Sequence, residues 1–303
     1  NSLKMFNYTL IIPHYRSVDT LHRLLLSIPD RNDIQILVID DNSSLDEDEF
    51  KRLPLFAFAE FSIIFLMKNE GAGGARNKGL KTAKGKWLIF ADSDDYFVEN
   101  AFSIFDKYNN EDYDIVYFKS ESICLGGDIV SDRSNYYNQL IDSFSPEDVK
   151  SVNKLRYNHG VPWCKMIKTN LVIFNNIQFD AIMYSNDVMF STKIGYYAEK
   201  IAAVNSIVYY VTTNVGSLTS QKSKESLLCR YETALRQNKF LRDRELDKYQ
   251  KSIMFYLRLS LNYGVSTLLF FIRLGIKYRA NFAIGMLHWH EYITTKIKSK
   301  CLF

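Results

Sequence analysis

Short apolar runs alternate with amphipathic segments along the first 118 residues. The runs show no regular alternation of polar and apolar residues, which is typical of strands that are covered on both faces of a sheet. They lie at residues 9–12, 34–39, 62–67, 87–91 and 114–118. Residues 18–28 and 75–83, which lie between these runs, have the spacing of helices. Strands that alternate with helices predict a parallel α/β sheet, whose ligands bind beyond the carboxyl ends of its strands.

Beyond residue 118 the pattern is less regular. Residues 119–160 are polar, and we expect an irregular loop over the site there, whereas residues 201–211 resemble one more strand. From residue 221 onward the spacing is helical and the composition is basic. We therefore expect an α/β domain over residues 1–220 and a helical C-terminal region over residues 221–303.

One apolar stretch has the length of a membrane span. It covers residues 253–272, but Arg258, Asn262 and Gly264 interrupt it, so we expect a core or interfacial helix instead. We expect no secretory signal, because the first apolar run is too short for its hydrophobic region.

Charge is unevenly distributed along the chain. The net charge is only +4, yet residues 221–303 carry 16 Lys and Arg against 6 Asp and Glu. An acidic body joined to a basic tail predicts that the tail has affinity for anions. Hydrophobic residues at 47% and charged residues at 24% exclude a disordered or collagen-like chain. The cysteines form no C-x-x-C pair, which argues against a disulfide framework or a zinc site and fits a reducing cytosol: Cys124, Cys164, Cys229 and Cys301.

Carboxylates follow two of the predicted strands. Asp40 and Asp41 come directly after the second run, and Asp92, Asp94 and Asp95 come after the fourth. Such clusters repel one another unless a cation neutralises them, and hard oxygen ligands suit Mg²⁺ or Mn²⁺ bound together with a phosphate group. The alternative is an acidic surface turn whose Asp caps the next helix. Two clusters at the same sheet edge favour the metal–phosphate site.

A glycine-rich segment lies between the two carboxylate clusters. Residues 70–77 read EGAGGARN, so glycines allow close approach of the backbone and a helix N-terminus follows that favours phosphate. Arg76 has the chemistry to pair with a phosphate or a base edge. The segment is not a dinucleotide fingerprint, because it follows the third strand and Arg76 occupies the place of the third glycine.

Five motifs together resemble glycosyltransferase family 2 in their order and spacing. They read TLIIPHYR, VIDDNSS, GAGGARNKGLKTAKGKWLIFADSDDYF, PWCKMIKTNLV and SNDVMF, and the resemblance covers about residues 8–211. It implies an inverting transferase of nucleotide-diphospho-sugars with the α/β GT-A fold, a Rossmann-like, mostly parallel central sheet, here with a helical C-terminal extension. It further implies a nucleotide-sugar half at about residues 8–118 and an acceptor half at about 119–220.

The resemblance also implies residue roles on the donor side. Asp41 would bind the uracil or ribose end of the nucleotide, and Asp92 and Asp94 would form the DXD pair. The full set expected to bind the nucleotide sugar is Pro13, Tyr15, Asp41, Arg76, Asp92, Ser93 and Asp94. Asp94 and Asp95 would reach the metal cofactor, Mn²⁺ or Mg²⁺. His14 stands where many members have a small apolar residue, and we expect it to be packed or to face solvent.

On the acceptor side, Asp187 matches the general base of the family. An inverting displacement needs a group that takes the proton of the acceptor hydroxyl, and the alternative for Asp187 is a cap on the helix predicted at residues 188–197. The acceptor-side candidates are Trp163, Lys165 and Asn186. Trp163 either stacks on a sugar ring or lies in the core. Asn186 replaces a Glu that is common in the family, which weakens any inference about the acceptor.

We therefore expect transfer from a UDP-sugar to a glycan acceptor linked to polyprenyl diphosphate, in the synthesis of a bacterial surface polysaccharide such as O-antigen or capsule. A sugar-nucleotide nucleotidyltransferase and an inactive glycan-binding protein are the alternatives. The basic, aromatic tail predicts a cytoplasmic protein that binds the anionic inner face of the membrane peripherally. The tail could instead form a helical cap on the catalytic domain or a homodimer interface. No nucleic-acid-binding module is recognisable.

Overall fold

The computed structural model describes residues 5–44, 47–51, 53, 60–124, 131–213 and 223–284. Contacts between Cα atoms divide the chain into two compact units, Asn1–Ser217 and Leu218–Phe303. The first unit carries the predicted strands and all the candidate site residues.

Within the residues that the structure describes, the first unit contains a mixed, mostly parallel sheet of eight strands. Its strands are β1 Phe6–His14, β2 Ile34–Asp40, β3 Phe61–Phe65, β4 Gly85–Phe90, β5 Tyr96–Phe97, β6 Ile115–Cys124, β7 Lys165–Lys168 and β8 Ile201–Thr213, in the spatial order β3-β2-β1-β4-β7-β6-β8-β5. β1 pairs in parallel with both β2 and β4, while β7 is antiparallel to β4 and β6. The α/β fold predicted from the alternating apolar runs is confirmed.

Helices cover both faces of this sheet. They are α1 Val18–Leu26, α2 Glu47–Phe50, α3 Gly71–Leu80, α4 Ala101–Asp106, α5 Asn135–Asp142, α6 Val149–Asn158, α7 Thr169–Phe174 and α8 Val188–Tyr197. Leu10 and Ile12 of β1 belong to one core cluster with Leu24 of α1, whereas Ile11 belongs to a second cluster with Ala75 of α3. Successive side chains of a strand point to opposite faces, so a strand buried on both faces is apolar at every position.

The irregular loop expected over residues 119–160 is wrong. β6 extends to Cys124, and α5 and α6 follow in the described part of this region. Each helix buries few apolar side chains, such as Leu140 in α5 and Leu155 in α6, and exposes polar residues on the rest of its surface. A sparse apolar stripe on a short helix gives a weak periodic signal.

The sheet order creates a crevice between the ends of β1 and β4. β1 connects to β2 on one side and pairs with β4 on the other, so the chain continues in opposite directions from these neighbouring strands. Ligands of such sheets bind at this switch point. The loops after the two strands meet there, because the hydroxyl oxygens of Ser17 and Ser93 lie 2.9 Å apart.

The second unit is helical. It contains α9 Lys224–Arg242, α10 Met254–Ser260 and α11 Val265–Lys277, with short 3₁₀ turns at Asp247–Tyr249 and Leu261–Tyr263. Its core consists of Leu227, Tyr231, Leu235, Ile253, Leu257 and Phe271. The apolar stretch at residues 253–272 is divided between α10 and α11 by Gly264, whose φ is +97°. Among the described residues, none of the helices combines the length and hydrophobicity needed to cross a bilayer.

Candidate active site

The first turn of α3 packs directly against the backbone of the segment that precedes α8. Gly71 begins the helix with φ +72°, a conformation that side-chain-bearing residues rarely adopt. A Cβ atom on Gly73 would lie 2.2 Å from the carbonyl oxygen of Asp180, so only glycine allows this approach. The glycines of the EGAGGARN segment therefore allow α3 to pack closely against the segment that precedes α8.

Asn77 of α3 fixes the start of that segment. Its side-chain Nδ2 donates to the carbonyl of Phe179 at 2.9 Å, and its Oδ1 accepts from the N–H of Phe179 at 2.8 Å. The N–H of Asp180 then donates to the carbonyl of Asn186 at 3.1 Å. This last bond draws residues 180–186 into a closed loop, which we call the 180–186 loop, and Asp187 follows it directly.

Arg76 joins this loop to the carboxyl end of β4. Its Nη2 lies 2.6 Å from Oδ1 of Asp92, and its Nη1 donates to Oδ1 of Asn186 at 2.9 Å. The guanidinium carbon lies 5.3 Å from the centroid of the Phe179 ring, and the residue is only 5% exposed. Because Asn186 is a neutral amide, only one of these two hydrogen-bonded partners is an anion.

Asp187 occupies the position before the first turn of α8, at the start of the helix predicted at residues 188–197. Among the described residues, its carboxylate accepts no capping hydrogen bond from that helix, so the capping alternative is wrong. Burial raises the pKa of Asp187, and the positive charges of Arg76 and Lys165 act in the opposite direction. A carboxylate of this kind is a stronger base than one in water.

Three aspartates occupy the turn after β4, and β8 holds the backbone of that turn. The N–H of Asp92 donates to the hydroxyl oxygen of Tyr209 at 2.9 Å, and the hydroxyl of Thr212 donates to the carbonyl of Asp94 at 2.6 Å. The N–H of Thr212 also donates to Oδ1 of Asp95 at 2.7 Å, and Asp95 is only 1% exposed. The carboxylate of Asp95 therefore anchors the turn to β8.

Burial and mutual repulsion disfavour the charged forms of Asp94 and Asp95 in this turn. Burial raises the pKa of Asp94, and the neighbouring charge of Asp92 raises it further. Burial, Asp92 and Asp94 likewise raise the pKa of Asp95 well above its usual value. No cluster of three His, Cys, Asp or Glu side chains with metal-binding geometry occurs within the described ranges. Asp92 and Asp94 supply hard oxygen donors that fit Mg²⁺ or Mn²⁺, provided that a ligand completes the coordination.

The carboxylates at the end of β2 contact two other segments of the first unit. Oδ1 of Asp40 lies 2.7 Å from Nδ1 of His14, and Nε2 of His14 accepts from the N–H of Ser17 at 3.1 Å. His14 is 1% exposed, which agrees with the expectation of a packed side chain. Oδ1 of Asp41 accepts from the N–H of Glu70 at 2.6 Å, so this carboxylate links the β2 edge to the glycine-rich segment.

An open cleft of about 380 Å³ lies beside Asp41. It is formed by the loop before α3 and by the middle of the 180–186 loop, and its lining residues are Lys68, Asn69, Glu70, Gly71, Ala181, Ile182 and Met183. At the end of β1, Pro13 is buried, whereas the ring of Tyr15 is 46% exposed beside the same sheet edge.

All three acceptor-side candidates are buried. Trp163 is 1% exposed and its ring is stacked on Tyr209, with the planes 22° apart, so the core alternative is correct and stacking on a sugar is wrong. Lys165 is also 1% exposed and donates to backbone carbonyls, which excludes direct contact with an acceptor in this structure. Asn186 is buried against Arg76.

The sequence analysis missed the residues that hold the aspartate turn. Tyr209 and Thr212 lie 117 positions or more after their partners, and Arg23 of α1 donates to the carbonyl of Asp94. Arg133, which precedes α5, lowers the pKa of Asp94 and of Asp95 through its charge. No local pattern in the sequence marks these long-range partners.

Comparison with known proteins agrees with this geometry. A family model described as Glycosyl transferase family 2 matches residues 9–171, more than half of the chain, and the chain therefore belongs to this family of glycosyltransferases. Membership of this family argues against the nucleotidyltransferase alternative.

Two relatives show the breadth of the similarity. The chain is 26% identical over 225 residues to the UDP-Glc:alpha-D-GlcNAc-diphosphoundecaprenol beta-1,3-glucosyltransferase WfaP of Escherichia coli, covering 72% of this chain and 81% of that protein. It is 26% identical over 245 residues to the cholesterol galactosyltransferase of Borreliella burgdorferi, covering 73% of this chain and 66% of that protein, just under two thirds of its length.

Solved structures share the fold. Residues 1–349 of S. aureus TarS in complex with UDP-GlcNAc align with a TM-score of 0.63 and 20% identity, over 90% of this chain and 73% of that chain. The mannosyltransferase PcManGT from Pyrobaculum calidifontis in complex with GDP-Man and Mn²⁺ aligns with a TM-score of 0.56 and 14% identity, over 96% of this chain and 81% of that chain. The expected GT-A fold is confirmed.

Replacing Arg76 by Lys tests whether the bridge holds the site together. Lysine lacks the planar fork that contacts Asp92 and Asn186 at once, so at least one buried partner loses its hydrogen bond. We expect Arg76→Lys to lower the free energy of unfolding by about 1–3 kcal/mol in urea titrations. Arg31→Lys is the matched control, because Arg31 also bridges two side chains, Asp33 and Asp106, but is more exposed. We expect Arg31→Lys to lower the free energy of unfolding by less than about 1 kcal/mol. Equal losses in both variants would contradict a special stabilising role of the Arg76 bridge.

Proposed function

We propose that the protein transfers one sugar, with inversion, from a UDP-sugar to a lipid-linked or oligosaccharide acceptor. The observation that carries this proposal is the Arg76 bridge, which joins Asp92 of the aspartate turn to Asn186, the neighbour of Asp187. One cluster of side chains can therefore bind the donor's diphosphate and hold the residue that accepts the proton. The structure of TarS with UDP-GlcNAc and the activity named for WfaP support the donor class and the acceptor class.

In this proposal the nucleoside lies across the carboxyl ends of β1, β2 and β3. The exposed ring of Tyr15 and the buried Pro13 border one side of that edge, and Asp41 and the cleft beside it border the other. An aromatic face suits a nucleobase, and a carboxylate suits the N–H of uracil or the hydroxyls of ribose. Ser93 belongs to the aspartate turn, where its hydroxyl contacts that of Ser17, and in this proposal the turn binds the sugar and diphosphate.

Asp94, together with Asp92, would hold the divalent cation, Mn²⁺ or Mg²⁺, that this donor set fits. When bound, such a cation offsets the negative charge that grows on the departing diphosphate. We assign Asp95 to the anchoring of the turn rather than to the metal, because Thr212 already donates to its carboxylate. Arg76, whose second partner is the neutral Asn186, adds positive charge on the same side.

Asp187 then acts as the general base. Its carboxylate takes the proton of the acceptor hydroxyl while that oxygen attacks the anomeric carbon, and the bond from this carbon to the UDP oxygen breaks on the opposite face. Because burial raises the pKa of Asp187, the base is protonated and inactive up to a higher pH than a carboxylate in water. Transfer should therefore rise with pH as Asp187 loses its proton.

The Asp187→Asn variant tests the base. Asparagine has nearly the same shape but accepts no proton, so transfer should fall by about 10²–10⁴-fold while UDP affinity stays within a few-fold of the wild type. Asp148→Asn is the matched control, since Asp148 caps α6 through bonds from the N–H groups of Lys150 and Ser151, and Asn caps equally well. Initial rates with a panel of UDP-sugars and calorimetry with UDP measure both effects. Normal transfer by Asp187→Asn would remove the base assignment, and absence of wild-type transfer to any acceptor would favour a glycan-binding role.

The Asp94→Asn variant tests the metal. It removes one negative charge from the aspartate turn with little change in volume, so the gain in UDP affinity produced by Mn²⁺ should fall by about tenfold or more. Titration calorimetry of UDP with and without Mn²⁺ gives this gain directly. Asp112→Asn removes an exposed carboxylate that pairs with Lys168 and Lys200, and it should leave the gain unchanged. If Asp94→Asn retains the full metal-dependent gain, the cation is held elsewhere.

We further propose that the C-terminal unit binds the inner face of the cytoplasmic membrane, where a lipid-linked acceptor for a surface polysaccharide such as O-antigen or capsule would be. Val265, Leu269 and Ile276 of α11 are exposed along one stripe of the helix. Arg273 and Lys277 are exposed next to this stripe. An apolar stripe flanked by basic residues is typical of helices that lie in an anionic membrane interface. The basic residues Lys296, Lys298 and Lys300 lie outside the described residues.

Co-sedimentation with vesicles tests this surface. The double variant Arg273→Glu, Lys277→Glu should lose about tenfold or more of its affinity for anionic vesicles at low salt, because each basic residue near such a surface contributes about 1 kcal/mol. Added salt should reproduce this loss in the wild type. Lys239→Glu with Lys248→Glu makes the same charge change elsewhere on the unit and should have a smaller effect. Concentration-dependent dimerisation without vesicle binding would instead identify α11 as a homodimer interface.

A further inference from the structure

Lys165 is a buried cation at the start of β7. Its Nζ donates to the carbonyls of His159 and Val161 at 2.8 and 2.7 Å and to the hydroxyl of Ser191 at 3.3 Å. Lysine is almost never fully buried without an anionic partner. Within the described part of the chain, no carboxylate lies within ion-pair distance of this ammonium. A buried ammonium without an ion-pair partner lowers the stability of the folded protein. Its charge also acts on the neighbouring titratable groups.

Ser191 places Lys165 against the helix that follows Asp187. It lies one helical turn after Asp187 in α8, and its N–H donates to the carbonyl of Asp187 at 2.9 Å. Residues four apart share one face of a helix. The Lys165 ammonium therefore contacts the face of α8 that begins at Asp187, from the protein interior.

Among the described residues, three other titratable groups near Lys165 have pKa values shifted towards their neutral forms. Its Nζ lies 5.3 Å from the centroid of the Tyr117 ring, and burial raises the pKa of the Tyr117 hydroxyl. Burial and the charge of Lys165 lower the pKa of His159 well below its usual value, while burial raises that of Cys164. On the side of the base, the charges of Arg76 and Asp92 also act on Asp187, and the charge of Asp187 raises the pKa of the Tyr137 hydroxyl. Asp187 is thus the nearby anion that the Lys165 charge acts upon.

The two charges influence each other's protonation. Burial lowers the pKa of Lys165 to about 7, and the charge of Asp187 opposes this effect. Conversely, the charge of Lys165 lowers the pKa of Asp187 against the effect of burial. Because the pKa of Lys165 is about 7, its side chain is charged at lower pH, and there it favours the ionised form of Asp187.

We propose that Lys165 is a positioning residue for catalysis, whose ammonium lies behind the first turn of α8 and favours the carboxylate form of Asp187. This inference rests on the proposed function, in which Asp187 is the base. The sequence predicted that Lys165 contacts the acceptor. In this proposal Lys165 instead acts on Asp187 from the protein interior. A purely structural Lys165 would only join the carbonyls of His159 and Val161 to α8, and the ionisation of Asp187 would not depend on its charge.

The pH dependence of kcat/KM separates these roles, because its acid limb reports the pKa of the base in the free enzyme. Lys165→Met removes the charge and keeps the length of the side chain, so the acid limb should move up by about one pH unit. Transfer should then fall by about tenfold below the limb and approach the wild-type rate above it. Lys165→Arg keeps the charge and should leave the limb near its wild-type position. Lys168→Met is the matched control on the same strand, because Lys168 pairs with Asp112 and Asp114 near the surface.

UDP calorimetry on each variant verifies that the donor site is intact. If Lys165→Met does not fold, Lys165→Gln replaces it, since the amide removes the charge but still donates to a carbonyl. An unchanged acid limb in a folded, uncharged variant would overturn the inference while leaving the proposed function in place. If Asp187→Asn transfers sugar normally, the proposed function itself has failed, whatever the Lys165 variants do.

Discussion

The buried guanidinium of Arg76 is the constraint on which the rest of the site depends. Arg76 is 5% exposed, and two nitrogens of its guanidinium, Nη2 and Nη1, hydrogen-bond to acceptors that lie 16 and 110 positions away in the chain. The end of β4, the first turns of α3 and the start of α8 are therefore held at one point. The glycines of α3 leave the space that this approach requires, and the paired hydrogen bonds of Asn77 stabilise it.

Around this point the protein keeps several charges in surroundings that disfavour them. Burial raises the pKa of Asp94, Asp95 and Asp187, and it lowers that of Lys165. Each shift means that folding is less favourable while the group is charged. These shifts lower the stability of the site, and any ligand that neutralises the charges would relieve part of this cost. Perturbed groups that converge in this way are typical of active sites.

Much of the fold could be predicted because two-sided burial leaves a clear mark in the sequence. The runs at residues 34–39 and 87–91 became β2 and β4 with almost the same ends, and the helix expected at residues 188–197 begins and ends as predicted. Family motifs located Arg76 and Asp187 without any structural information. The failures have two causes. The helices α5 and α6 bury few apolar side chains, so their periodic signal is weak. The anchoring of Asp95 by Thr212 and the choice between the two alternatives for Trp163 depend on partners distant in sequence, which local periodicity does not encode.

The 180–186 loop has a consequence for how this enzyme can diversify. Asn77 holds the residue before the loop and Arg76 holds its last residue, whereas Ala181, Ile182 and Met183 in its middle line the cleft. The two clamped ends fix Asp187 independently of what the middle contains. Substitutions at these three positions can reshape the cleft without moving Asp187. The loop is therefore a place where the shape of the cleft can evolve, or be engineered, separately from the position of that carboxylate.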